Sequence, residues 1–334
     1  MVKREDINKR SVPPLVSFVT PMKEKDFRVM KLIKSIRAQN YPQDKVEIII
    51  TDGGSNPKVI EACKKEGAKI FHNLKGFAEG AGMGKDQGIW HSNGEYIVIA
   101  ESDIELIGRE WINNMLRPFT DNPEVFGVMP KLFVNPQDNK TNKYLSYVGV
   151  DPFAAYRSIE GQLEFDKKLS KVKRKPYTVL KLDKTKPYCM GSNGFMFKKE
   201  YIKKVGDYAQ DVEFIARLAK NGYTKFAVAQ NAKVWHKNVK GLKDFIRKRI
   251  KWTRDYTTYY STQKKDFNWI SNKRQFIFYV AKNITFIYNI PISIKKYSEY
   301  KDSAWILHAP LMFFSTGLNI YYSLKSKSMM KQVL

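Results

Sequence analysis

Short β-branched apolar runs alternate with amphipathic stretches through the first hundred residues. Residues 15–20 (LVSFVT) and 46–51 (VEIIIT) are short, β-branched, largely hydrophobic runs, closed by Pro21 and by Asp52-Gly53-Gly54. Between them, 27–39 (FRVMKLIKSIRAQ) brings Met30, Ile33 and Ile36 round at helical spacing. The same pattern predicts a helix over 57–66, a strand over 68–72, a helix over 83–92 and a strand over 95–100 (EYIVIA). Strands without polar alternation are buried on both faces, so this order predicts an α/β fold: a Rossmann-like, mostly parallel sheet flanked by helices. Sheets of that kind bind ligands beyond the carboxyl ends of their strands. That rule singles out Pro21 to Glu24, Asp52, and Glu101-Ser102-Asp103.

Past residue 120 the pattern weakens. Residues 121–190 hold a loop-like NPQDNKTNK and a lysine-rich stretch, 167–175, read as a surface loop. A helix over 209–220 stops at Asn221-Gly222, a natural C-terminal cap. Two apolar segments follow, 275–294 and 304–322, each near the roughly 20 residues that span a bilayer. Both contain Asn, Ser, Thr and Pro, and the loop KKYSEYKDS between them would put three lysines opposite the other basic flanks. The expectation is therefore helices lying in the membrane interface, with packing on the protein itself as the alternative. Residues beyond about 270 would then be dispensable for chemistry, and truncation after Asp266 would leave a more soluble protein.

Composition changes this picture in one respect. The chain has 334 residues, 43% of them hydrophobic, enough for packed cores. Its net charge of +26 is unevenly spread: +1 over residues 12–120, +9 over 121–236 and +14 over 237–334. A balanced first third joined to a basic, aromatic last third suits a catalytic half attached to a surface that meets anionic phosphate or lipid. The aromatics lie in apolar runs and form no RNA-binding signature, so no nucleic-acid partner is expected. Two cysteines, Cys63 and Cys189, make no disulfide framework and fit a reducing compartment. The polar N-terminus carries no apolar secretory stretch.

The candidate chemistry is carboxylate chemistry. Asp52, Glu101, Asp103 and Asp211 all fall at strand or helix ends, and a closely spaced acid pair such as Glu101 and Asp103 can hold Mg2+ or Mn2+ together with substrate phosphate oxygens. His236, closing the run KFAVAQNAKVWH, offers an imidazole. No G-x-x-x-x-G-K-[ST] loop and no G-x-G-x-x-G fingerprint is present, which argues against ATPases and dinucleotide enzymes. Neither cysteine has an identifiable base, so a thiol nucleophile is not expected.

Seven segments, taken in order, resemble glycosyltransferase family 2 of the GT-A fold. They are VSFVTPMKE, LIKSIRAQNYP, IIITDGGS, GKDQGIWHSNGEYIVIAESD, CMGSNGFMFKKEYIKKVGDY, QDVEFIARLAKNGY and AKVWH, spread over residues 15–103 and 188–236. The resemblance implies an inverting, metal-dependent transferase using a UDP- or GDP-sugar. It divides the chain into a GT-A domain over 12–240, with a nucleotide-sugar half over 12–120 and an acceptor half over 121–240, and a basic helical region over 241–334. By the same resemblance Pro21, Glu24 and Asp52 line the base and ribose pocket, and Lys85 lies near the donor phosphates. Glu101 and Ser102 adjoin the donor, Asp103 ligates the divalent cation with His236 beside it, and Asp211 is the catalytic base. Asn193, together with Lys251 and Trp252 in RKRIKWTR, would meet acceptor or phosphate. Three positions depart from the family pattern: Glu101 replaces an Asp, Gly53 replaces a second Asp, and Gln210 replaces a Glu. The basic C-terminal third suggests a lipid-linked acceptor and an anionic membrane partner at the cytoplasmic face. The rival readings are a nucleotide-binding or nucleotidyl-transferring relative without glycosyl transfer and, ranked last, a basic RNA-binding protein.

Overall fold

The computed structural model describes residues 12–73, 81–166, 169, 175–208, 210–262, 266–268, 270 and 272–325. The lysine-rich stretch 167–175 thus falls almost wholly outside the described residues. The chain divides into two compact units, each drawn from several segments. The first comprises residues up to 133, 172–184 and 190–236; the second comprises 134–171, 185–189 and 237–334. Residues 134–171 and 185–189 therefore group with the C-terminal region, not with the acceptor half of a continuous 12–240 domain.

The first unit is built on a nine-stranded sheet in the order β3-β2-β1-β4-β8-β6-β9-β5, with β7 paired to β9. Its N-terminal half is parallel, as its largely apolar runs predict: β1 (Val16–Met22) lies between β2 (Val46–Asp52) and β4 (Tyr96–Ile99), and β3 (Lys69–His72) flanks β2. The other half is mixed. β8 (Phe195–Lys198) runs antiparallel to both β4 and β6 (Gly127–Leu132); β9 (Lys225–His236) is parallel to β6 but antiparallel to β5 (Ile104–Ile107) and β7 (Tyr177–Lys181).

Strand β1 continues through Pro21, where the sequence placed its end. A proline cannot donate to a ladder, but β4 pairs with β1 only over residues 16–19, so the sheet asks for one ladder there instead of two. Helix α1 (Val29–Arg37) buries Val29, Leu32, Ile33 and Ile36, leaving Met30 only half-buried, a face rotated from the one expected. Helix α2 (Pro57–Lys65) starts with an Asn56 side-chain cap and a proline in its first turn. Helix α3 (Ala81–His91) packs against β1 and β2 through Gly84 and Gly88: a Cβ on Gly84 would lie 2.9 Å from Pro21 Cβ, and one on Gly88 2.5 Å from Val19 Cγ1. Only glycine permits that approach.

The second unit has its own core. Tyr144, Leu145 and Val148 of α5 (Lys140–Val148) pack with Phe245 of α9 (Leu242–Thr262), Trp305, and Leu311 of α12 (His308–Lys325). The apolar segment 275–294 is a broken pair: α10 (Lys273–Ile284) and α11 (Ile290–Tyr300), whose axes meet at 87° across a turn where Phe286 has φ +59°. Segment 304–322 is a short 3-10 turn, Ser303–Leu307, followed by α12. Among the described residues no single helix is long and apolar enough to cross a membrane, although the bent pair passes that test together.

Candidate active site

The carboxyl ends of β1, β2 and β4, the start of β5, the end of β9 and the N-terminus of α8 (Asp211–Lys220) converge within the first unit. The DGGS turn explains its own composition. Asp52 accepts from the backbone N–H groups of Gly54 (3.1 Å) and Ser55 (2.9 Å), and Gly54 takes φ +100° to close the turn. The Ser55 hydroxyl accepts from the Glu24 N–H at 2.7 Å, tying the loop after β1 to the loop after β2. Pro21 is opposite Thr51 in the β1–β2 ladder.

Glu24 reaches the end of β4, where it accepts a hydrogen bond from the Ser102 hydroxyl; Arg28, four residues on, pairs with its other oxygen at 3.1 Å. Burial raises the Glu24 carboxyl above its ordinary value, outweighing the Ser102 hydrogen bond and the Arg28 charge. Arg28 was missed by sequence reasoning, although its i,i+4 spacing from Glu24 was a readable signal.

Strand register places the next pair. Ile104 is opposite His236 in the antiparallel β5–β9 ladder, so Asp103, one residue earlier, stands beside the imidazole, with Nε2 3.2 Å from Oδ1. Both atoms can serve a hard divalent cation that draws its remaining ligands from substrate phosphates. Among the described residues no group of three or more His, Cys, Asp or Glu side chains gathers as a metal cage. A two-donor set of this kind fits Mg2+ or Mn2+, which are held by few protein ligands plus phosphate oxygens.

Lys85 lies at the centre of the third group. Its ammonium is 3.0 Å from Glu101 Oε1 and 2.8 Å and 3.0 Å from the two oxygens of Asp211. The glycines of α3 bring that helix down onto the sheet, so Lys85 is buried, with two carboxylate partners among the described residues to balance it. Burial works against its charge, but Asp211 and Glu101 outweigh burial and push the ammonium's pKa up, so Lys85 remains a cation. The other oxygen of Glu101 accepts from the Asn193 N–H at 2.8 Å. Glu101 is thus occupied on both oxygens within the protein, one of them by Lys85.

Asp211 opens α8, where the helix dipole favours an anion. Burial nevertheless raises its carboxyl above the ordinary aspartate value; Glu101 adds to the rise, and the Lys85 ammonium and Tyr208 hydroxyl oppose it without reversing it. A raised carboxyl is a better proton acceptor. The loop 191–194 packs against this helix start. Gly191 (φ +117°), Asn193 (φ +55°) and Gly194 (φ +88°) are all left-handed, and a Cβ on Gly191 would come within 3.1 Å of Asp211 Cβ. Tyr208, fully buried, donates to the Gly191 carbonyl, and its N–H is held by Asp86 at 2.8 Å. Tyr208 is the residue sequence analysis overlooked here.

Lys251 and Trp252 belong to α9 of the second unit. Lys251 pairs with Asp255 at 2.9 Å, and Trp252 has Lys248 and Arg249 over its ring, 5.8 Å and 5.4 Å from the ring centroid.

Comparison with known proteins shows the family and the fold. Residues 17–206 match the family model of glycosyl transferase family 2, and the chain belongs to that family. A mannosyltransferase from Pyrobaculum calidifontis, solved with GDP-mannose and Mn2+, is similar in fold: TM-score 0.56, 12% identity, covering 95% of this chain and 89% of that one. The glucosyl-3-phosphoglycerate synthase of Petrotoga mobilis is 30% identical over 99 residues, 28% of this chain. That match spans 30% of the relative's length.

Proposed function

We propose that this chain is a metal-dependent, inverting glycosyltransferase that moves a sugar from a UDP- or GDP-sugar to a hydroxyl or phosphate acceptor carried on a lipid at the cytoplasmic face of a membrane. The observation that carries the reading is the placement of Asp211, a raised carboxyl at a helix start held by Lys85, in the same unit as the Asp103–His236 pair. Asp211 takes the proton from an acceptor hydroxyl as that oxygen attacks the anomeric carbon in line. The bond from that carbon to the nucleoside diphosphate breaks on the opposite face, which inverts the configuration. Asp103 and His236 would hold the divalent cation, which supplies positive charge to the departing diphosphate. The Asp52 turn and the Glu24–Ser102 pair shape the end of the sheet where the nucleoside would lie. The basic last third of the chain supports an anionic, lipid-borne acceptor.

A panel of nucleotide-sugars with Mn2+ or Mg2+, read by thermal shift and by release of nucleoside diphosphate, tests the reading. One donor should stabilise the protein only with metal present, since ligand that binds the native state alone adds stability by mass action. Asp103→Asn should remove that metal-dependent shift. Release of pyrophosphate from a nucleoside triphosphate, with no response to any nucleotide-sugar, would make the protein a nucleotidyltransferase instead.

A further inference from the structure

Helix α11 and the turn before it are inside-out. On α11 the exposed stripe is Ile290, Ile294 and Tyr297, spaced i, i+4, i+7, while the inward face carries Ser293 and Lys296. Ile294 is 64% exposed and Lys296 8%. The turn before it repeats the inversion: Ile287 is 74% exposed and Asn289 1%. Several of these inward polar groups pair with one another. Asn289 donates to Asn283 at 3.0 Å, Ser293 donates to the Asn289 carbonyl at 2.9 Å, and Lys296 pairs with Glu164, whose other oxygen accepts from Tyr300 at 2.7 Å. Water favours the reverse arrangement, and a contiguous exposed apolar face of this kind marks a surface that something apolar covers.

We infer that the outer face of α10, the bend and α11 docks in the headgroup layer of an anionic lipid bilayer. Three observations choose that occupant. At 1.5 Å per residue the helices are about 18 Å long, too short for a hydrocarbon core of about 30 Å, and they meet at 87°, which suits lying in the interface and not crossing it. Over residues 272–325 seven Lys and Arg stand against two acids, so the charge complements anionic headgroups. Lys282 sits over the rings of Phe278 (4.0 Å) and Tyr288 (4.3 Å), an aliphatic stem and a cation beside aromatics on the exposed side, as snorkelling requires. The inference deepens the proposed lipid-borne acceptor by naming the surface that would bring the chain to it.

The test uses the full chain, with no donor and no turnover, so it succeeds or fails independently of the transfer reaction. The protein should float with phosphatidylglycerol-containing vesicles and stay behind with phosphatidylcholine vesicles. The double variant Ile287→Asp, Ile294→Asp should lower the vesicle partition coefficient tenfold or more, with an unchanged circular dichroism spectrum. Lys282→Glu, which keeps the apolar face, should weaken partition to anionic vesicles selectively. A chain that does not float, or a double variant that floats as well as the parent, overturns the inference. So does a dimer, seen by light scattering without vesicle binding, that the double variant converts to monomer, because a second copy would then cover the face.

Discussion

At the scale of single residues, the site turns on one buried lysine. Lys85 gives hydrogen bonds to Asp211 and Glu101 and is itself 5% exposed, so removing it leaves two carboxylates facing each other without a cation. Lys85→Met should cost about 2 kcal/mol of stability in urea unfolding, below the usual penalty for breaking a buried pair because both carboxylates keep some contact with water. It should also change the pH profile in a definite direction. The parent Asp211 carboxyl is raised, and the base works only when deprotonated, so kcat should climb with pH through a range above that of an ordinary aspartate. Lys85 is the strongest opposing influence, so in Lys85→Met the acid limb should move to still higher pH. The corresponding stability term has the sign of any raised group: it is complete below the unfolded value and is lost as pH rises through the folded one. An acid limb that stays in place would show that Lys85 serves the donor phosphates alone. Asp211→Asn should keep metal-dependent donor binding and lower transfer by about 10²–10⁴-fold. The carboxylates were readable in the sequence because each follows a strand or opens a helix. Their partnership was not, since Lys85 and Asp211 are 126 positions apart and meet only because β8 is inserted beside β4.

At the scale of elements, what matters is how closely α3 can approach the sheet. The sequence GAGMGKDQG reads as a helix, but nothing in its periodicity says which glycines touch a strand. The structure singles out Gly84 and Gly88, four residues apart on the face toward β1 and β2, with the Gly84 carbonyl accepting from Thr51 at 2.8 Å. Gly88→Ala would place a methyl 2.5 Å from Val19 Cγ1, inside a central strand that cannot retreat. We expect it to cost about 1–3 kcal/mol by overpacking, read as a lower urea midpoint. It should also reduce donor-induced stabilisation, because Lys85 rides on the displaced helix. A midpoint equal to that of the parent would mean that α3 can shift freely. The α11 stripe shows a second limit of sequence reading: spacing reveals a one-sided helix, yet only the structure shows that its isoleucines face outward.

At the scale of the whole molecule, the boundary between units sets what can be removed. The membrane-interface reading of the sequence treats everything past about 270 as a detachable appendage, because every recognisable motif precedes it; packing on the protein itself is its alternative. The structure makes part of that stretch the core of the second unit. Trp305 and Ala304 are fully buried and Leu311 nearly so, packed with Tyr144, Leu145 and Val148, which come from a part of the chain the sequence assigned to the acceptor half. That assignment was not legible because the partners of α5 lie far along the chain, and residues 121–190 show no strong period of their own. His308 adds a buried hydrogen bond to Tyr144 at 2.9 Å, and Asp302 pairs with Lys143 at 3.3 Å. Truncation after Asp266 removes all of these partners while leaving α5 and α6 (Ile159–Phe165) in place, with the apolar surface that Trp305 and Leu311 cover open to water. Trp305→Ala alone should cost about 3–5 kcal/mol, the usual penalty for emptying a large aromatic site. The truncated chain should therefore bind a hydrophobic dye strongly and elute as aggregates, the opposite of the more soluble fragment that an appendage would leave. Size-exclusion chromatography with light scattering decides between them. A monomeric truncated protein that unfolds cooperatively in urea would show that α5 and α6 find another way to bury those residues.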